Sequence, residues 1–135
     1  MRGVVAGGLA AEARRRDDLA RVRECVRIER APEALEHLEG GAAMSAVNWA
    51  EVLGRQGSGS DALRRDLEVL GLSVVDFTAA DAALVADMLM PTRQLGLGIA
   101  DRACLALGHR LSVPVVTADR AWAELGFGPA VVLIR

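Results

Sequence analysis

Five short apolar runs, Gly3–Ala6, Ala43–Val47, Leu72–Phe77, Val113–Thr117 and Ala130–Ile134, recur along this chain, and most of the stretches between them carry helical periodicity. Runs this short, bounded by turn residues, suit strands buried on both faces better than core helices. Strands that alternate with helices fold into parallel sheet with right-handed crossovers. The expected fold class is therefore α/β, a three-layer domain with a central parallel sheet flanked by helices. Hydrophobic residues make up 52% of the 135-residue chain while aromatics supply only 3%, so the core must be built from Ala, Val, Leu and Ile. A chain of this length forms one core, and no linker divides it, so residues 1–135 are expected to be a single domain.

Between the runs, Leu19, Val22 and Val26 recur at helical spacing within Leu9–Glu29, and Pro32 opens a second helix that Gly40-Gly41 ends. Asn48–Leu53 has helical character, Gln56–Ser60 is a flexible break, and Ser60 caps a helix through Leu70. Thr78 caps the next helix, which Pro91 closes after Met90. A glycine-spaced loop, Leu95–Ile99, precedes a helix over Arg102–Arg110, and Arg120–Leu125 forms a short one.

Composition excludes several function classes. The net charge is −2, all 16 basic residues are arginine, and the eight before Pro32 are interleaved with Glu12, Asp17, Asp18, Glu24 and Glu29. No general basic field advertises nucleic acid; mixed signs mark a solvated helical face. Cys25 and Cys104 lie too far apart, with no second ligand nearby, for a disulfide framework or a zinc site. His37 and His109 read as helix-surface residues. No apolar stretch is long enough to span a membrane and no leader pattern opens the chain, so a cytoplasmic protein is expected. Gly96 and Gly98 suggest a nucleotide loop, but there is no G-x-G-x-x-G after a strand and no lysine for a Walker motif.

The acids are more informative. Glu51 falls near the start of the helix after the second run, Asp101 at the N-terminal end of a helix, and Asp119 directly after Val113–Thr117. In an open parallel sheet, residues just beyond the carboxyl ends of the strands gather on one edge, where ligands bind. Carboxylates gathered there repel unless a cation or protons neutralise them. Magnesium takes oxygen ligands, keeps several waters and bridges to phosphate, and a water bound to it becomes a usable nucleophile. Each acid also has a plainer role: Asp101 and Asp119 as helix N-caps, Glu51 as a solvent-facing helical residue.

The local sequence around these acids is specific. Ser45-Ala46-Val47-Asn48-Trp49-Ala50-Glu51-Val52-Leu53 resembles the segment that carries the second acid of PIN-domain ribonucleases, notably the VapC toxins of toxin–antitoxin pairs. Asp101-Arg102-Ala103-Cys104-Leu105-Ala106-Leu107 is similar to the segment with their third acid, and Thr117-Ala118-Asp119-Arg120-Ala121-Trp122 to that with their fourth. The resemblance spans Met44 to Arg135. It implies a PIN-like fold, Glu51, Asp101 and Asp119 as catalytic and metal-binding residues, Mg²⁺ or Mn²⁺ as cofactor, and endonucleolytic cleavage of RNA. It also implies a homodimer and a cognate antitoxin as partner. Thr117 matches a hydroxyl residue that supports the pocket. Asn48 matches too, with a helix cap as its expected role, and Trp49 and Trp122 are expected to pack. Arg102 and Arg120 flank the acids and are candidates for RNA phosphate contact.

The opening departs from the pattern. Members of that family open with a strand ending in aspartate, whereas the corresponding stretch here, Val4-Val5-Ala6-Gly7-Gly8-Leu9-Ala10, has no acid, and Asp17 and Asp18 lie within a helical pattern. Residues 1–42 thus form an atypical part beside the matching part, 43–135. Two readings follow: a PIN module with weakened catalysis that acts by binding antitoxin or RNA, or an upstream portion translated from a shifted frame or wrong start.

Overall fold

The structure, a computed structural model, describes residues 24–26, 41–56 and 60–134. Strands β1 (Glu24–Val26), β2 (Ala42–Ser45), β3 (Leu72–Val75), β4 (Val115–Thr117) and β5 (Val131–Leu133) form one sheet in the order β3-β2-β1-β4-β5. Every pairing is parallel, with Cys25 opposite both Ala43 and Val115. The α/β class expected from the alternation of runs and helices is the fold observed.

Four α-helices accompany the sheet: α1 (Ala46–Gln56), α2 (Ser60–Val69), α3 (Ala79–Asp87) and α4 (Ile99–Leu111). Two 3-10 turns, Arg93–Leu95 and Arg120–Glu124, complete the described elements. Alternation along the strands sorts the core to the two faces of the sheet. Ala43, Val75 and Val115 pack with Val85, Met88, Cys104, Leu105 and Trp122. Ala42, Met44, Leu72 and Val116 pack instead with Trp49, Val52, Leu53, Leu63 and Leu67. The sheet is thus clothed on both sides by helices, as an all-parallel sheet requires.

Thr78 caps α3 as expected, and does so reciprocally. Its hydroxyl accepts from Asp81 N at 3.2 Å, while Asp81 Oδ2 accepts from Thr78 N at 2.9 Å. The buried Asp81 carboxylate also receives the Arg110 guanidinium, Nε at 2.8 Å and Nη2 at 3.0 Å, which ties α3 to the end of α4. Cys104 is buried and His109 exposed, in keeping with their expected places.

One expectation fails. The helical pattern over Leu9–Glu29 does not survive at its end, because Glu24–Val26 is the central strand of the sheet. Strand pairing on both flanks fixes this segment, and a three- or four-residue spacing of apolar side chains cannot register such non-local partners. The strand expected at Gly3–Ala6 and the helix from Pro32 to Leu38 lie outside the described residues.

Candidate functional site

Parallel pairing sends the carboxyl ends of β2 and β4 to the same edge of the sheet, on either side of β1. Two of the three acid-bearing segments start there. β2 passes into α1 without a loop; Ser45 Oγ accepts from Val47 N at 3.2 Å, which covers one of the free amides of the first turn. Glu51 follows in the second turn of α1 and is exposed. After β4, the buried Thr117 turns its hydroxyl back to accept from Asp119 N at 3.1 Å. Asp119 is the N-cap of the following 3-10 turn, its Oδ1 accepting from Ala121 N at 2.9 Å. Thr117 therefore supports the acid directly.

The third segment arrives through a helix contact. Gly96 adopts φ +67°, a left-handed turn that glycine enters without penalty, and Gly98 then precedes α4. Asp101 sits at the third position of α4 rather than at the cap, and its Oδ2 accepts from Gly98 N at 2.9 Å. Asn48 joins this turn to α1: its Nδ2 donates to the Ala100 carbonyl at 2.9 Å. Asn48 is 2% exposed and lies one helical turn before Glu51, so it shares a face with that acid. The cap expected of Asn48 belongs to Ser45 instead; Asn48 is a clamp between two helices.

Sequence reasoning also missed where polar atoms are left over. Among the described residues, the buried side-chain polar atoms without a hydrogen-bond partner are Asn48 Oδ1, Arg102 Nε and Trp122 Nε1. They lie three residues before Glu51, one after Asp101 and three after Asp119. Buried polar atoms are normally paired, and these three fall on the three acid-bearing segments. Trp49 and Trp122 are buried packing residues, as expected. Arg102 is half-buried in the first turn of α4, whereas Arg120 is exposed.

The acids supply the oxygen donors that a hard divalent cation prefers. Their side chains are nonetheless not gathered into a chelate, because among the described residues no group of three or more His, Cys, Asp or Glu side chains could hold a metal ion. The one acid of the described central strand, Glu24, stands at its amino end and hence at the edge of the sheet opposite the carboxyl ends of β2 and β4. No helix among the described residues is long and apolar enough to cross a membrane.

Comparison with solved structures finds the same architecture repeatedly. VapBC from Salmonella typhimurium, bound to DNA, superposes with a TM-score of 0.63 at 14% identity, over 82% of this chain and 97% of the other. A toxin–antitoxin complex from Klebsiella pneumoniae gives 0.60 at 17% identity, covering 82% and 95%. VapBC2 from Rickettsia felis, bound to a DNA fragment from their promoter, gives 0.59 at 18% identity, covering 83% and 98%. None of the curated proteins matches the chain in sequence. The family model described as PIN domain matches residues 18–128, most of the chain, and the chain belongs to the PIN domain family.

Proposed function

We propose that this chain is a VapC-like toxin, an endoribonuclease that hydrolyses RNA phosphodiesters with the aid of Mg²⁺ or Mn²⁺ and is neutralised by a cognate antitoxin. The observation that carries the reading is the placement of Glu51, Asp101 and Asp119. They occupy α1 just after β2, the first turn of α4 clamped to α1 by Asn48, and the turn directly after β4. A cation held there with the help of its own waters would supply an activated water and neutralise charge on the phosphodiester. The chain's own contribution is to fix the acids: Gly98 N holds Asp101, Ala121 N holds Asp119, and Thr117 receives the amide of Asp119. The toxin–antitoxin complexes among the similar structures support an antitoxin as partner, and a homodimer is part of the same proposal.

The stretch Val4-Val5-Ala6-Gly7-Gly8-Leu9-Ala10, which carries no acid where the family pattern has its first, favours a second reading, a PIN module with weakened catalysis that acts by binding antitoxin or RNA. Incubation of the purified full chain with structured RNA and Mg²⁺, beside EDTA and Asp101→Asn controls, separates the two. Cleavage lost in both controls supports the nuclease. Cleavage that survives either one comes from a contaminant and removes it, and no cleavage at all beside tight antitoxin binding selects the second reading.

A further inference from the structure

We propose that Arg102 is the RNA phosphate anchor of this site, a positioning residue that grips the backbone of the substrate beside the acids. The inference rests on the RNA-binding reading above, and it divides two arginines that the sequence treats alike. Arg120 is exposed at the start of a 3-10 turn, with no sign of constraint. Arg102 is different in three respects.

Its side chain is half-buried and its Nε is buried without a partner, so the stem is held in the protein while the residue as a whole still reaches solvent. A guanidinium fixed in this way loses less freedom when it closes on a planar, doubly accepting anion. No hydrogen bond or ion pair to its guanidinium is found among the described residues, although the acid Asp101 is its neighbour in the chain. Arg110, by contrast, is engaged with Asp81, and Arg64 with Glu68. Arg102 also closes the first turn of α4, its amide donating to Gly98 O at 3.1 Å. A cation at that end of a thirteen-residue helix opposes the helix dipole, which favours anions there. The unfavourably placed charge is relieved by the arrival of a phosphate at the solvent-facing part of the side chain.

The test is RNA binding by the full chain in EDTA, so that cleavage does not enter, followed by fluorescence anisotropy of labelled single-stranded RNAs of unrelated sequence over a range of salt. For Arg102→Gln the expected result is several-fold weaker binding at low salt, equal for all the sequences, since a phosphate contact carries no base information. The slope of log K against log salt should flatten by about 0.7, the signature of one lost contact to a single strand. Arg102→Lys, which keeps the charge without the fork, should keep the slope while binding more weakly. It also keeps the question answerable if the glutamine variant does not fold. Arg65→Gln, on α2 against the edge strand β3, is the control. Wild-type protein that fails to bind RNA, or an Arg102→Gln variant that matches Arg65→Gln in affinity and slope, overturns the proposal. Wild-type protein that binds RNA in this Arg102-dependent manner but never cuts it upholds the anchor and removes the nuclease.

Discussion

Asn48 donates its side-chain amide to the Ala100 carbonyl at 2.9 Å, across 52 residues of sequence, and through this bond the helix of Glu51 is held to the turn of Asp101. Both partners lie in a buried contact, so truncation of Asn48 to alanine leaves a carbonyl poorly solvated and a small void. The expected cost is about 1–3 kcal/mol of folding stability, the usual range when a buried group loses its partner. Urea unfolding with an unchanged m-value would report it. Cleavage should fall further than stability alone explains, since the two acids are no longer held to each other; a variant that retains wild-type cleavage would show that the clamp serves packing only.

Asp101→Asn and Asp119→Asn separate charge from architecture. An asparagine oxygen can still accept from Gly98 N or Ala121 N, so the helix starts survive and the unfolding midpoint should barely move. Divalent cation binding and RNA cleavage should both fall, cleavage by about 100-fold or more, beyond what loss of a merely orienting residue brings. Thr117→Val should be milder, about 10-fold in cleavage, because it removes only the acceptor behind Asp119. Calorimetric titration with Mn²⁺ and a gel assay measure the pair. Equal cleavage by Asp101→Asn and wild type would remove that acid from the chemistry.

Much of this was legible in the sequence for local reasons. Runs such as Leu72–Phe77 and Ala130–Ile134 contain the strands and Thr78 caps its helix, because strand burial and capping are decided within a few residues. What was not legible depends on distant partners. Glu24–Val26 reads as the tail of a helix until β2 and β4 flank it. Asn48 reads as a cap until Ala100 comes within reach, and Asp81 and Arg110 give no sign of each other across 29 residues. Likewise, the places of Glu51, Asp101 and Asp119 relative to the runs and helices raise the expectation of a shared edge, but side-chain convergence is a matter of rotamers and bound ions that spacing does not encode.

Gly108 should resist a change that normally helps a helix. Glycine inside a helix is usually about 1 kcal/mol worse than alanine. Here a Cβ at this position would meet Val115 Cγ1 at 2.5 Å, Pro129 Cγ at 3.2 Å and Val113 O at 3.2 Å. The helix α4 approaches β4 so closely that only glycine fits between them. Gly108→Ala is expected to lower stability by about 1–3 kcal/mol through overpacking, as measured by thermal or urea unfolding. A stabilised variant would mean that the contact between α4 and β4 yields easily.

The pair Asp81–Arg110 is expected to be the strongest polar tie in the described part of the fold. Asp81 is almost wholly buried, its side chain 3% exposed against 28% for Arg110, and both carboxylate oxygens are engaged by the guanidinium. Arg110 Nη2 adds a bond to Asp76 O at 3.2 Å, just past β3, so one side chain links α4, α3 and the segment that leads from β3 into α3. Removal of Arg110 leaves a buried carboxylate with only the Thr78 amide, and Arg110→Met should cost about 3 kcal/mol, the lower end for breaking a buried pair, because the arginine is partly solvated. Asp81→Asn should cost a similar amount, and the two should not add. A double-mutant cycle is expected to give a coupling of about 1–3 kcal/mol, within the range for directly contacting charges. Full additivity in urea unfolding would mean that the guanidinium contributes by packing its stem, with the charges contributing little.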